Sequence, residues 1–105
     1  MTDIADLLTD LVRIDSINRD LVPGAAGEGD IACFIAAWAE RAGLDVHVVE
    51  PIPGRPSVVA VARGTGGGRS LMLNGHIDTV GVAGMAEPCW ARGPCTSRSS
   101  TAARR

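Results

Sequence analysis

Apolar residues recur at helical spacing twice and then in three short runs, and this order constrains the fold more than any other feature of the chain. Ile4, Leu7, Leu8, Leu11 and Val12 fall at i, i+3, i+4, i+7 and i+8, the single stripe of an amphipathic helix over residues 3–14. Thr2 suits its N-cap, and Asp3 and Asp6 suit the positive end of the helix dipole. Ile31, Phe34, Ile35, Trp38 and Ala42 repeat the pattern over about residues 28–42, with Gly43 where a left-handed residue ends a helix. Residues 15–27 between them are polar, hold Pro23-Gly24 and Gly27, and read as a long connecting loop.

Three strand candidates follow. Leu44–Glu50 alternates Leu44, Val46 and Val48 with Asp45, His47 and Val49; Ser57–Arg63 is dense in Val and Ala; Ser70–Asn74 carries Leu71, Met72 and Leu73. Pro51, Pro53, Gly54 and Pro56 separate the first two, and the run Gly64–Gly68 separates the last two. The short glycine connection predicts a hairpin between residues 57–63 and 70–76. The whole order predicts an α/β layer, two helices packed on a sheet of about three strands. Cys33 and Trp38, beside or on the second apolar stripe, read as core residues. His47 alternates with valines and reads as a solvated strand position.

From about Cys89 the periodicity is gone. Residues 1–87 hold all 12 acids against Arg13, Arg19, Arg41, Arg55, Arg63 and Arg69. Residues 88–105 hold Arg92, Arg98, Arg104 and Arg105 and no acid, so the net charge of −2 conceals an acidic body and a basic tail. That tail reads as disordered. It is also the place for an interaction arm, although four charges without structure make a poor nucleic-acid surface. The 105 residues allow one small domain, and an aromatic content of 3% with no Tyr argues against a base-stacking platform. The N-terminus has no signal-peptide pattern, and no apolar run reaches the ~18 residues of a membrane span. With three cysteines in no zinc-knuckle spacing, the setting expected is reducing and cytoplasmic.

The residues with most chemistry in them are Asn74-Gly75-His76-Ile77-Asp78-Thr79-Val80, directly after an apolar run. A His leaving the end of a strand faces the crevice where open α/β sheets bind ligands. Imidazole is the commonest metal ligand, and its second nitrogen needs an acceptor to fix tautomer and orientation, which Asp78 is placed to supply. A His-x-Asp is also common in ordinary strand-end turns. Gly64–Gly68 lacks the Gly-Lys-Ser/Thr of a phosphate cradle and reads as a hairpin loop. Cys89 and Cys95 are candidates to join His76 on a metal, but Cys-x5-Cys is not a zinc-ribbon spacing.

The stretch Leu71–Val80 resembles the first metal motif of the family that includes acetylornithine deacetylase, succinyl-diaminopimelate desuccinylase, aminoacylase and carboxypeptidase G, zinc-dependent amidohydrolases and peptidases. Leu8–Asn18, with its Leu-Val-x-Ile-x-Ser-x-Asn turn, resembles the family's opening helix, and Gly27–Glu50 its second helix and following strand, so the likeness covers about residues 4–87. The resemblance implies the N-terminal part of a zinc-exopeptidase-like catalytic domain. It implies that His76 ligates one of two zinc ions, with cobalt as the substitute metal. Asp78 is then the catalytic-site carboxylate that orients it. Hydrolysis of the amide bond of a small N-acyl amino acid or peptide is the implied reaction, with a metal-bridging hydroxide and a Glu general base. Oligomers are compatible with this kinship; a membrane partner is not expected.

The sequence departs from the family after Asp78. A bridging Asp some thirty residues after the His, in a Gly-Arg-Gly…Asp-Met-Lys segment, a Glu-Glu pair and later ligands have no match, and Glu87 is the last acid. One imidazole does not make a zinc site. The expectation is therefore residues 1–87 as a partial, truncated catalytic domain, inactive by itself, and residues 88–105 as an out-of-frame tail. A non-enzymatic interaction module is the alternative. The Arg-only, Ala- and Gly-rich composition fits GC-rich codons, which read out of frame tend to give such a tail. Translating the downstream DNA in all frames is expected to find Gly-Arg-Gly…Asp-Met-Lys; its absence from every frame ends the frameshift reading.

Overall fold

The computed structural model describes residues 3–85. Helix α1 runs Ile4–Val12 and helix α2 Gly29–Arg41, and strands β1, Asp45–Ile52, and β2, Arg55–Val61, form a two-stranded antiparallel sheet. The architecture is a small α/β unit. The predicted tail at 88–105, with Cys89 and Cys95, lies outside the described residues. Among those described, no helix is long and apolar enough to cross a membrane.

Helix α1 is capped by Asp3, whose carboxylate accepts the Ala5 N–H at 3.0 Å, so the cap sits one residue later than the sequence suggests. It ends two residues early and buries none of its residues: Ile4, Leu8 and Val12 stay exposed, and Leu7 and Leu11 are half-buried. Helix α2 carries the packing, touching both strands and contributing Ile31, Ala32 and Ala39 to the core beside Ile17. Its C-terminus is a Schellman closure. Gly43 N–H donates to the Glu40 carbonyl and Leu44 N–H to the Ala39 carbonyl, both at 3.0 Å, with Gly43 at φ 86°. Two readings of α2 are corrected: Cys33 is exposed, pointing off the buried face, and Trp38 is only half-buried.

The hairpin is β1–β2, not 57–63 with 70–76. Val46 faces Ala60 and Val48 faces Val58, which puts these four on one side and Asp45, His47 and Val49 on the other. His47 is exposed, as its alternation predicts. The prolines read as separators are absorbed by the hairpin. The register slips by one residue between Val49 and Ile52, so Pro51 falls in a bulge, where its missing N–H costs no ladder bond. Pro53-Gly54 forms the two-residue turn, with Gly54 at φ 82° and its N–H bonded to the Glu50 carboxylate at 2.7 Å.

The third strand is absent among the described residues. After β2 the chain leaves through Gly64–Gly68, and residues 70–76 run without ladder partners, with Leu71, Met72 and Leu73 each more than 80% exposed. A cleft of about 980 Å³ lies between this segment and β2. The reason is in the pattern. Three consecutive large apolar residues suit a strand covered on both faces, and no alternation fixes a register against β2. The described residues cover neither face.

Because a Cβ on Gly43 meets nothing within 4 Å, Gly43→Ala isolates the cost of its positive φ. The expected loss is about 1 kcal/mol, read as a lower urea midpoint at unchanged m-value.

Candidate functional site

The polar loop before α2 does more than connect. Ser16 and Ile17 are buried, and Ile17 forms a parallel bridge with Thr79. Two backbone bonds make it: Asn18 N–H to the Thr79 carbonyl at 3.0 Å and Thr79 N–H to the Ser16 carbonyl at 2.9 Å. They hold the turn 76–78 against the loop that follows α1. Across this bridge the Asn18 side-chain amide donates to Asp78 Oδ2 at 2.7 Å.

His76 and Asp78 come together as the sequence predicts. His76 Nδ1 lies 2.9 Å from the Asp78 carbonyl oxygen and 3.0 Å from Asp78 Oδ1. A carbonyl only accepts hydrogen bonds, so Nδ1 is the donor, and in the neutral ring the lone pair is on Nε2. The ring is open to solvent, at 85% side-chain exposure against 26% for Asp78. An imidazole with a carboxylate on one nitrogen and the other free is arranged as metal-binding histidines are. The hydrogen bond from Asn18 is the main cause holding the Asp78 carboxyl below the ordinary aspartate range. Partial burial opposes it, and His76 adds to it.

Both residues line the cleft beside β2, and Glu28 and Arg55 line it as well. Glu28, the residue before α2, is buried and does not cap its helix; its Oε1 accepts Arg55 Nε at 2.6 Å, and Arg55 also meets Asp20 at 2.8 Å. Glu28 raises the Arg55 pKa further above its ordinary value, mainly through that hydrogen bond. This pair ties the start of α2 to the hairpin turn.

Among the described residues, no group of three or more His, Cys, Asp and Glu side chains is placed to hold a metal ion. Zinc needs three or four protein ligands, so these residues fit one ligand position and not a whole site. Among the described residues, Gly64–Gly68 closes no hairpin and no helix follows it. Asn18 is the site residue that sequence reasoning did not assign a role. It stands sixty positions from Asp78, and its sole trace in the sequence is membership of the Ser-x-Asn turn.

Over 62 residues the chain is 40% identical to the N-formyl-4-amino-5-aminomethyl-2-methylpyrimidine deformylase of Halalkalibacterium halodurans. The aligned stretch is 57% of this chain and 14% of that protein, so the chain spans only a small part of this curated relative. The likeness is to a protein of hydrolase type. The chain matches no family model and no solved structure.

The lowered Asp78 pKa fixes the sign of a pH effect. A carboxyl more acidic in the folded than the unfolded state adds stability above the unfolded pKa and loses it as pH falls through the folded one. Asp78→Asn removes that contribution. The variant is expected to show a flatter decline of the urea midpoint below about pH 5 than the parent chain. Identical acid limbs for the two would contradict the bonding described.

Proposed function

We propose that this chain carries the first metal-ligand segment of a metal-dependent amide-bond hydrolase of the deacetylase, desuccinylase and carboxypeptidase type. The observation that carries the reading is the solvent-exposed His76 ring, held by Asp78 through Nδ1 beside a cleft that both residues line. The deformylase likeness supports it, because removal of a formyl group from an amine is cleavage of an amide. The substrate class is a small N-acyl compound, an N-acyl or N-formyl amine or amino acid, or a short peptide. His76 is one ligand for zinc, or cobalt in its place, with Asp78 as its orienting carboxylate. The remaining ligands and the general base are not among the described residues, and on this reading the 105-residue chain by itself is inactive. The setting is cytoplasmic.

A second reading is a non-enzymatic module that pairs through residues 70–76. It is favoured by the exposure of Leu71, Met72 and Leu73 beside a strand edge that lacks a partner among the described residues.

Cobalt and zinc titration of the 105-residue chain, followed by an N-formyl and N-acyl amine hydrolysis assay, tests both. The expected outcome is weak, His76-dependent metal binding, lost in His76→Ala, with no turnover. Binding unchanged in His76→Ala removes the ligand role. Tight stoichiometric zinc with hydrolysis refutes the inactivity. No metal binding together with concentration-dependent association on gel filtration favours the second reading.

A further inference from the structure

We infer that Asn18 is a positioning residue for His76, setting through Asp78 which imidazole nitrogen is left free. The inference deepens the reading of His76 as a ligand and rests on it for its functional meaning, but its geometry stands apart from any metal. Asn18 Oδ1 accepts the Asp20 backbone N–H at 2.7 Å, and this fixes the amide so that Nδ2 faces Asp78. Nδ2 then donates to Asp78 Oδ2 at 2.7 Å. With Oδ2 engaged, the carboxylate turns Oδ1 to His76 Nδ1 at 3.0 Å. A relay of three hydrogen bonds thus runs from a backbone amide to a nitrogen of an exposed ring.

Neutral histidine in water mostly carries its proton on Nε2, the atom that is left free here. The proton must therefore be drawn to Nδ1, and two acceptors do so. The Asp78 carbonyl belongs to the ring's own turn and is present whenever that turn forms. The carboxylate swings about two side-chain bonds unless it is held. Asn18 is its external anchor, and the backbone bridge from Asn18 to Thr79 keeps the anchor in range. The bridge bonds are made by main-chain atoms, so Asn18→Ala removes the anchor without deleting a bridge donor or acceptor.

The test is the tautomer of His76 in the metal-free, 15N-labelled 105-residue chain, read from long-range proton–nitrogen correlations at a pH where the ring is neutral. In the parent chain Nδ1–H is expected to dominate. Asn18→Ala, and Asn18→Asp, which keeps the Asp20 contact but loses the donor, are expected to move the ratio toward Nε2–H by about three- to tenfold, the range for one net hydrogen bond. Asn18→Ser, a shorter donor, recovers part of it. An Asn18→Ala chain with its Ile17–Thr79 cross-bridge contacts intact and the parental ratio overturns the inference, as does an Nε2–H ring in the parent. Should the variants lose the bridge, the parent decides: one Asn18 side-chain proton shifted downfield and slow to exchange supports the anchor, and a freely exchanging amide overturns it. With neither metal nor substrate present, failure here is separate from failure of the hydrolase reading.

Discussion

The bridge between Ile17 and Thr79 is the constraint on which the site depends. Residues 62–78 leave β2 through flexible glycines and make no ladder on the way, so nothing in the sheet determines where His76 ends up. Two main-chain hydrogen bonds to Ser16 and Asn18 do. They are effective because Ile17 is buried, and because Gly27 N–H bonds to the Ile17 carbonyl from the start of the α2 approach. The loop after α1 is therefore a third layer of the structure in function if not in form. It places a side-chain donor against the acid that holds the histidine.

The Arg55–Glu28 pair plays the matching part at the hairpin turn. A carboxylate at the start of a helix gains from the dipole, but a buried one needs a cation. Arg55, the first residue after the hairpin turn, supplies it and reaches Asp20 as well. The hairpin is in this way fastened to the helix by charge at its turn and by the packing of α2 on both strands.

What was legible in the sequence was local. The two apolar stripes, the Gly43 cap and the alternation of Val46 and Val48 with Asp45 and His47 each depend on neighbours a turn or a residue away, and the helices and β1 follow from them. The Pro51–Pro56 stretch was misread because each proline argues against a strand one at a time. The bulge and the turn accommodate them together. Leu71–Leu73 reads as a strand by composition, yet composition says nothing of the partners that a strand needs. At the site, His76 and Asp78 were legible because they are two residues apart. Asn18 was not, since a contact across sixty residues exists only once the chain has folded back, and a polar loop gives no periodic sign that one of its residues is buried.

The Ile17–Thr79 bridge is also marginal in energy. With helix and hairpin formed, closing the free stretch of ~17 residues between β2 and Thr79 costs about 2.5 kcal/mol of chain entropy. Two backbone bonds and one from Asn18, at about 1 kcal/mol each, return a similar sum. The two nearly cancel. The turn that carries the histidine is thus held by a latch that opens at little cost, and whatever grips the turn 76–78 from outside also holds that latch shut.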